Sequence, residues 1–237
     1  MRKINIVKLI TAAVMLVAIQ AQATIAYNYP GGLVANGGSG PYTIGNYFTV
    51  NSAINVDQLG IYDSGYLNGG TVSVAIYAVS ELDNQLTSAS LAVAPVSFSA
   101  ANPGTKVVGT STFMKTVGNN VLNPGTYMVV ANNYGNSGAL PYYDNAGSSP
   151  GQISANTGGG ALTFEGSYRE DGNVALGSSL TDLSDWGFFD HTIPRMAAGN
   201  FGFFAIVPEA SVFGGVAIAL LGLIYVGRSA WLKNNVA

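Results

Sequence analysis

The sequence predicts an all-β fold, a single jelly-roll-like β-sandwich over residues 24–206, with a signal peptide before it and a transmembrane helix after it. Three observations carry this. Glycine is abundant, 31 of 237 residues, and charged residues make up only 9%, against about 25% in ordinary globular chains. Short apolar stretches alternate with turn chemistry along the whole middle of the chain. No helical periodicity competes outside the two ends.

The strand signals run in order. Tyr47-Phe48-Thr49-Val50, Ile54-Asn55-Val56 and Leu59-Gly60-Ile61-Tyr62 read as three strand pieces. Asp63-Ser64-Gly65 and Asn68-Gly69-Gly70 read as turns. Residues 71–77 alternate most clearly, with Val72, Val74 and Ile76 on one face. Residues 93–98 follow, and Pro95 marks an edge strand or a break, because proline has no N–H for a sheet ladder. One strand is expected over 106–115. Pro124-Gly125 centres a turn, and residues 127–131 re-enter the core. Residues 142–160 read as a long polar loop, with a short strand near Leu162-Thr163-Phe164 and Tyr168. Phe201, Phe203 and Phe204 close the domain.

The two ends have a different character. Arg2, Lys3 and Lys8 precede an apolar core from Leu9 to Ile19, then Ala21-Gln22-Ala23. A charged start, an apolar core and a small-x-small site make residues 1–23 a secretory signal peptide cleaved after Ala23. The core is short of the ~20 residues a spanning helix needs. Residues 212–226 contain no charge and are followed by Arg228 and Lys233. As a helix with its flanks this run reaches about 24 Å. The two basic residues can snorkel to the interface, and their position places the tip in the cytoplasm and the main domain outside.

Residues 207–237, with Val207-Pro208-Glu209-Ala210-Ser211, an apolar segment and a basic tip, resemble the PEP-CTERM sorting signal. That resemblance implies an exported protein processed by an exosortase, a membrane-embedded protease-transpeptidase, in Gram-negative bacteria that make exopolysaccharide. Pro208, Glu209 and Ala210 match the sorting-motif positions, and Arg228 and Lys233 the membrane-stop basic residues. Ala210 stands where the family carries a second proline, and the basic cluster is thin. The middle domain is similar to exported β-sandwich domains found ahead of such tails, through residues 45–50, 59–63 and 122–127.

Composition narrows the chemistry. The domain holds four basic residues, Lys106, Lys115, Arg169 and Arg195, against eleven acids, a net charge of −7. That balance speaks against nucleic acid as a partner. No cysteine is present, which removes thiol nucleophiles and thiolate metal sites. His191 is the one histidine, so a histidine zinc cluster within one chain is excluded. Asp190 beside it would point to the opposite face of an extended chain, so a surface or structural histidine is the better reading.

Glu170, Asp171, Asp182, Asp185 and Asp190 form the densest acidic region, but their spacing matches no calcium loop, and a solvated loop is expected. No catalytic residue, metal or cofactor is expected. Tyr142-Tyr143, adjacent in a polar loop, is the candidate pair for stacking on sugar rings. The expected function is non-enzymatic: a cell-surface or extracellular-matrix protein, sorted by an exosortase-like enzyme, held in the membrane by its C-terminal helix and engaging exopolysaccharide. Two alternatives remain, a carbohydrate-active hydrolase using a carboxylate pair and a plain C-terminally anchored envelope protein.

Overall fold

Val72, Val74 and Ile76 do share one buried face, and it is the face on which the two principal sheets meet. The computed structural model describes residues 23–32, 40–63, 67, 70–82, 85–135, 141–144, 153–180, 183, 186–189 and 196–206. All but Ile206 lie in a unit spanning Gln22–Ala205. Among the described residues fifteen strands run in chain order: β1 Thr24–Ile25, β2 Tyr27–Asn28, β3 Tyr42–Val50, β4 Ile54–Tyr62, β5 Thr71–Leu82, β6 Gln85–Ser99, β7 Thr105–Lys106 and β8 Thr112–Leu122. There follow β9 Gly125–Tyr134, β10 Tyr143–Asp144, β11 Ser154–Ala155, β12 Leu162–Asp171, β13 Gly187–Phe189, β14 Met196–Ala197 and β15 Gly199–Ala205.

All pairings in the sheets are antiparallel. A six-stranded sheet has the order β13-β12-β3-β9-β5-β6 and a five-stranded sheet the order β1-β15-β4-β8-β7. Two short ladders, β10-β14 and β11-β2, complete the set. Both main sheets feed one core. Ile44, Phe48, Val74, Ile76 and Val129 come from the six-stranded sheet, and Ile54, Val56, Leu59, Ile61, Phe201 and Phe203 from the five-stranded one. Two sheets sharing an apolar interior make a β-sandwich. Aromatic rings fill its middle, with Phe48 and Phe201 stacked at 4.7 Å between centroids.

The six-stranded sheet is covered on its other face too. Tyr47, Ala75, Tyr77, Val79, Met128, Val130 and Tyr168 form a second cluster with Leu180, Leu183 and Trp186 from the segment after β12. A strand buried on both faces loses the apolar-polar alternation, and Met128-Val129-Val130-Ala131 on β9 reads as a continuous apolar run for that reason.

Several expectations need correcting. The pieces 54–56 and 59–62 are one strand, β4, whose register against β8 shifts at Asp57. The strand expected over 106–115 is a hairpin: β7 and β8 pair through Lys106 and Phe113, and residues 107–111 turn between them. Residues 142–160 include two ladder segments, β10 and β11. Pro95 behaves as expected. It lies on β6, an edge strand, where Ala94 and Pro95 together oppose Ala75, so the missing N–H falls in a bulge.

Among the described residues no helix is long and apolar enough to cross a membrane. The expected span 212–226, the signal peptide core and the turns at 64–65 and 68–69 lie outside the described residues.

Candidate functional site

The N-terminal segment of the unit is threaded into the sandwich rather than laid over it. Thr24 and Ile25 pair with Phe203 and Gly202 at the edge of the five-stranded sheet. Asn28 and Tyr27 then pair with Ser154 and Ala155. Beyond them Pro30 bridges Thr110, and the Gly31 amide donates to the Gly109 carbonyl at 3.1 Å. The segment therefore runs between β11 on one side and the 107–111 turn on the other.

An open groove of about 620 Å³ lies along this run. Its lining carries hydroxyls and amides from Thr24, Asn28, Thr110, Thr112, Ser154, Asn156 and Thr157, with Tyr27 at its wall. Ala23, Ile25 and Ala155 supply apolar patches, and among the described residues no lining side chain is charged. Asn28, Ser154, Asn156 and Thr157 are exposed, whereas Tyr27 and Thr112 are buried. Among the described residues Tyr27 Oη and Thr112 Oγ1 find no hydrogen-bond partner. Burial without a partner pushes the Tyr27 phenol well above its usual range, with Tyr29 adding to the shift.

Backbone ties hold the walls. The Asn156 amide donates to the Ala26 carbonyl at 2.8 Å, and the Ser111 amide to the Tyr29 carbonyl at 2.8 Å. Tyr29 is buried and donates its hydroxyl to the Gly199 carbonyl at 2.7 Å. Asn46 reaches Tyr29 Oη and the Met196 carbonyl and accepts from Ser167 Oγ at 2.8 Å. Desolvation dominates the Tyr29 phenol and raises its pKa strongly despite these bonds.

The expected sugar-stacking pair is placed differently. Tyr142 is 1% exposed. Its ring stands edge-on to Tyr42 at 5.8 Å, and its hydroxyl accepts from Arg169 Nη1 at 3.5 Å. Arg169 lies over the Tyr42 ring at 4.7 Å and pairs with the exposed Asp171 carboxylate at 3.2 Å. Tyr142 thus packs inside an aromatic-cation cluster at the end of β12, with its ring buried. Tyr143 is on β10 opposite Ala197; its side chain lies outside the described residues.

Ala23 is found at the rim of the groove. Ala21, Asp182, Asp185, Asp190, His191, Pro208, Glu209, Ala210, Arg228 and Lys233 lie outside the described residues. Glu170 and Asp171 are consecutive on β12, opposite Thr43 and Tyr42. Among the described residues no group of three or more acids or histidines is placed to hold a metal ion. The groove itself escapes sequence reading because its lining comes from three distant segments of common polar residues. Comparison with family models, characterised proteins and solved structures finds no match to this chain.

Proposed function

We propose that this chain is an exported, non-enzymatic surface or matrix protein. Residues 1–23 direct export, and residues 207–237 hold it in the inner membrane until an exosortase-like enzyme cuts near Pro208-Glu209. The sorting reading rests on the residues of the tail. One structural observation supports it: the ends of the sandwich leave from neighbouring strands, with Thr24 opposite Phe203. Cleavage after Ala23 leaves β1 whole, and cleavage beyond residue 206 leaves β15 whole. Both segments can therefore be removed without taking a strand from the core. The jelly-roll-like reading of the sandwich has its own support, since the chain crosses between the main sheets from β3 to β4, β4 to β5, β6 to β7 and β8 to β9.

The test compares intact mass and cell fraction of the native protein with a Glu209→Ala variant. Loss of the C-terminal segment in the wild type and its retention in the variant is the expected result. If both forms keep Arg228 and Lys233 and stay in the inner membrane, the sorting reading fails and a plain anchor is left.

A further inference from the structure

We infer that the groove between β2, β11 and the 107–111 turn is a binding site for an uncharged, hydroxyl-rich ligand, a saccharide unit. This deepens the surface-protein reading and rests on it for its biological setting.

The chemistry of the lining selects the ligand class. Among the described residues no lysine or arginine lines the groove to attract phosphate or carboxylate, and no acid to hold a cation. About half of the lining surface is apolar, supplied by Ala23, Ile25, Ala155 and the threonine methyls, which suits the C–H faces of a sugar ring lying between polar groups. What remains is a set of hydroxyls and carboxamides, groups that both donate and accept. A sugar hydroxyl does the same, so each contact can form in either direction. The volume falls within the roughly 300–1,000 Å³ typical of small-ligand sites.

Much of this polar capacity is uncommitted. Thr24, Asn28, Ser154 and Thr157 make no side-chain hydrogen bond among the described residues. Asn156 Oδ1 accepts from the Gly158 amide, which orients the carboxamide and leaves its NH₂ to donate. Thr110 Oγ1 is already used, donating to the Val107 carbonyl and accepting from the Thr112 amide, so it shapes the wall.

The frame is preorganised. The Ser154–Asn28 pairing, the Pro30–Thr110 bridge and the Asn156–Ala26 hydrogen bond fix the walls through backbone atoms, which lowers the ordering cost of binding. Cleavage after Ala23 would remove that residue from the lining and leave the α-ammonium of Thr24 at the rim, a donor for a sugar oxygen at which an anionic ligand would compete. The nearest large ring, Tyr27, is buried among Phe164 and Phe201 and presents no stacking face. A polar site without stacking binds single units weakly, with Kd on the order of 1 mM, and gains strength on a polymer through repeated engagement.

The experiment titrates the full chain, purified in a sugar-free detergent, with maltose and with cellobiose, followed by protein NMR shifts. The expected result is saturable binding of at least one disaccharide. Ser154→Arg, which fills the groove from an exposed position, should weaken it about tenfold or more. Asn28→Ala should weaken it less, and Tyr142→Phe, outside the groove, should leave it unchanged. Thermal unfolding of each variant establishes that it folds. Absence of saturable binding by either sugar, or binding indifferent to both groove variants, overturns the proposal. Neither result alters the Glu209→Ala processing experiment, so the two readings fail separately.

Discussion

Asn200 and Tyr27 exchange two hydrogen bonds: the Tyr27 amide donates to Asn200 Oδ1 at 3.0 Å, and Asn200 Nδ2 donates to the Tyr27 carbonyl at 2.6 Å. Asn200 Oδ1 also accepts from the Phe201 amide at 2.8 Å. One side chain thereby acts as a rung of β-ladder where β1 has ended and β2 is turning toward β11. Both residues are buried, so neither backbone group has water as an alternative. The bond pair is what brings Tyr27 into the core and puts Asn28 at the groove.

Asn200→Ala therefore strands the Tyr27 N–H and C=O together. At about 1–3 kcal/mol for each of these two buried groups, the loss is on the order of 2–6 kcal/mol. For a domain of this size that lowers Tm by roughly 5–15 °C. Asn51→Ala is the control: Asn51 bonds the Gly160 carbonyl and Thr163 Oγ1 from an exposed position, and its loss should cost less than about 1 kcal/mol. Thermal unfolding measures both, and hydrogen exchange at the Tyr27 amide locates the effect. Equal losses in the two variants would refute this account.

The fold was legible where large apolar side chains alternate with other residue types and where a turn carries proline and glycine. Val72, Val74 and Ile76 on β5 show the first, even though Ala75 and Tyr77 are buried on the opposite face, and Pro124-Gly125 between β8 and β9 shows the second. It was less legible where a bulge interrupts the period. Around Asp57 the pattern changes face within β4, so one strand looked like two pieces. Asn132 and Asn133 extend β9 beyond its apolar run because their side chains serve other backbone. Asn132 bonds the Ser73 amide and the Val174 carbonyl, and Asn133 the Thr71 carbonyl. Polar residues there read as loop but act as cross-strand ties.

Asp57, at that irregularity, predicts a pH effect. Its Oδ1 is buried without a partner, and desolvation raises its pKa above the model-compound 3.8, partly offset by a bond to its own backbone. A carboxyl whose folded pKa is raised contributes stability when protonated. That contribution is complete below 3.8 and is lost as pH rises through the folded value. Asp57→Asn should increase stability at neutral pH and flatten the slope just above 3.8. Urea unfolding between about pH 3 and pH 7 reads this directly. An unchanged slope in the variant would assign the pH dependence to other groups.

Site legibility failed for a different reason. Polar and glycine residues surround Tyr142 in the sequence, yet its ring is buried against Tyr42 and its hydroxyl meets Arg169, twenty-seven positions away. The groove depends on residues 23–28, 110–112 and 154–157 meeting through β-bridges. Threonine, serine and asparagine at those places carry no local pattern, and only the threading of the N-terminal segment makes them neighbours.

Gly45 and Met128 supply a coupled test of the second core. Gly45 on β3 opposes Val130 on β9, and Met128 lies two positions along β9 on the same face. A β-carbon at Gly45 would fall on the Met128 side chain at Sδ and Cγ. Met128 is fully buried beneath the segment that carries Leu180 and Trp186, so it has little room to withdraw. Gly45→Ala should cost about 1–3 kcal/mol through overpacking. Met128→Val shortens the obstructing side chain at its own cavity cost. In the double variant the added methyl occupies space the shortened side chain vacates. The double should therefore be more stable than the sum of the singles by roughly 0.5–3 kcal/mol. Denaturant midpoints for the four proteins close the cycle. Simple additivity would mean that glycine at position 45 is not required by Met128.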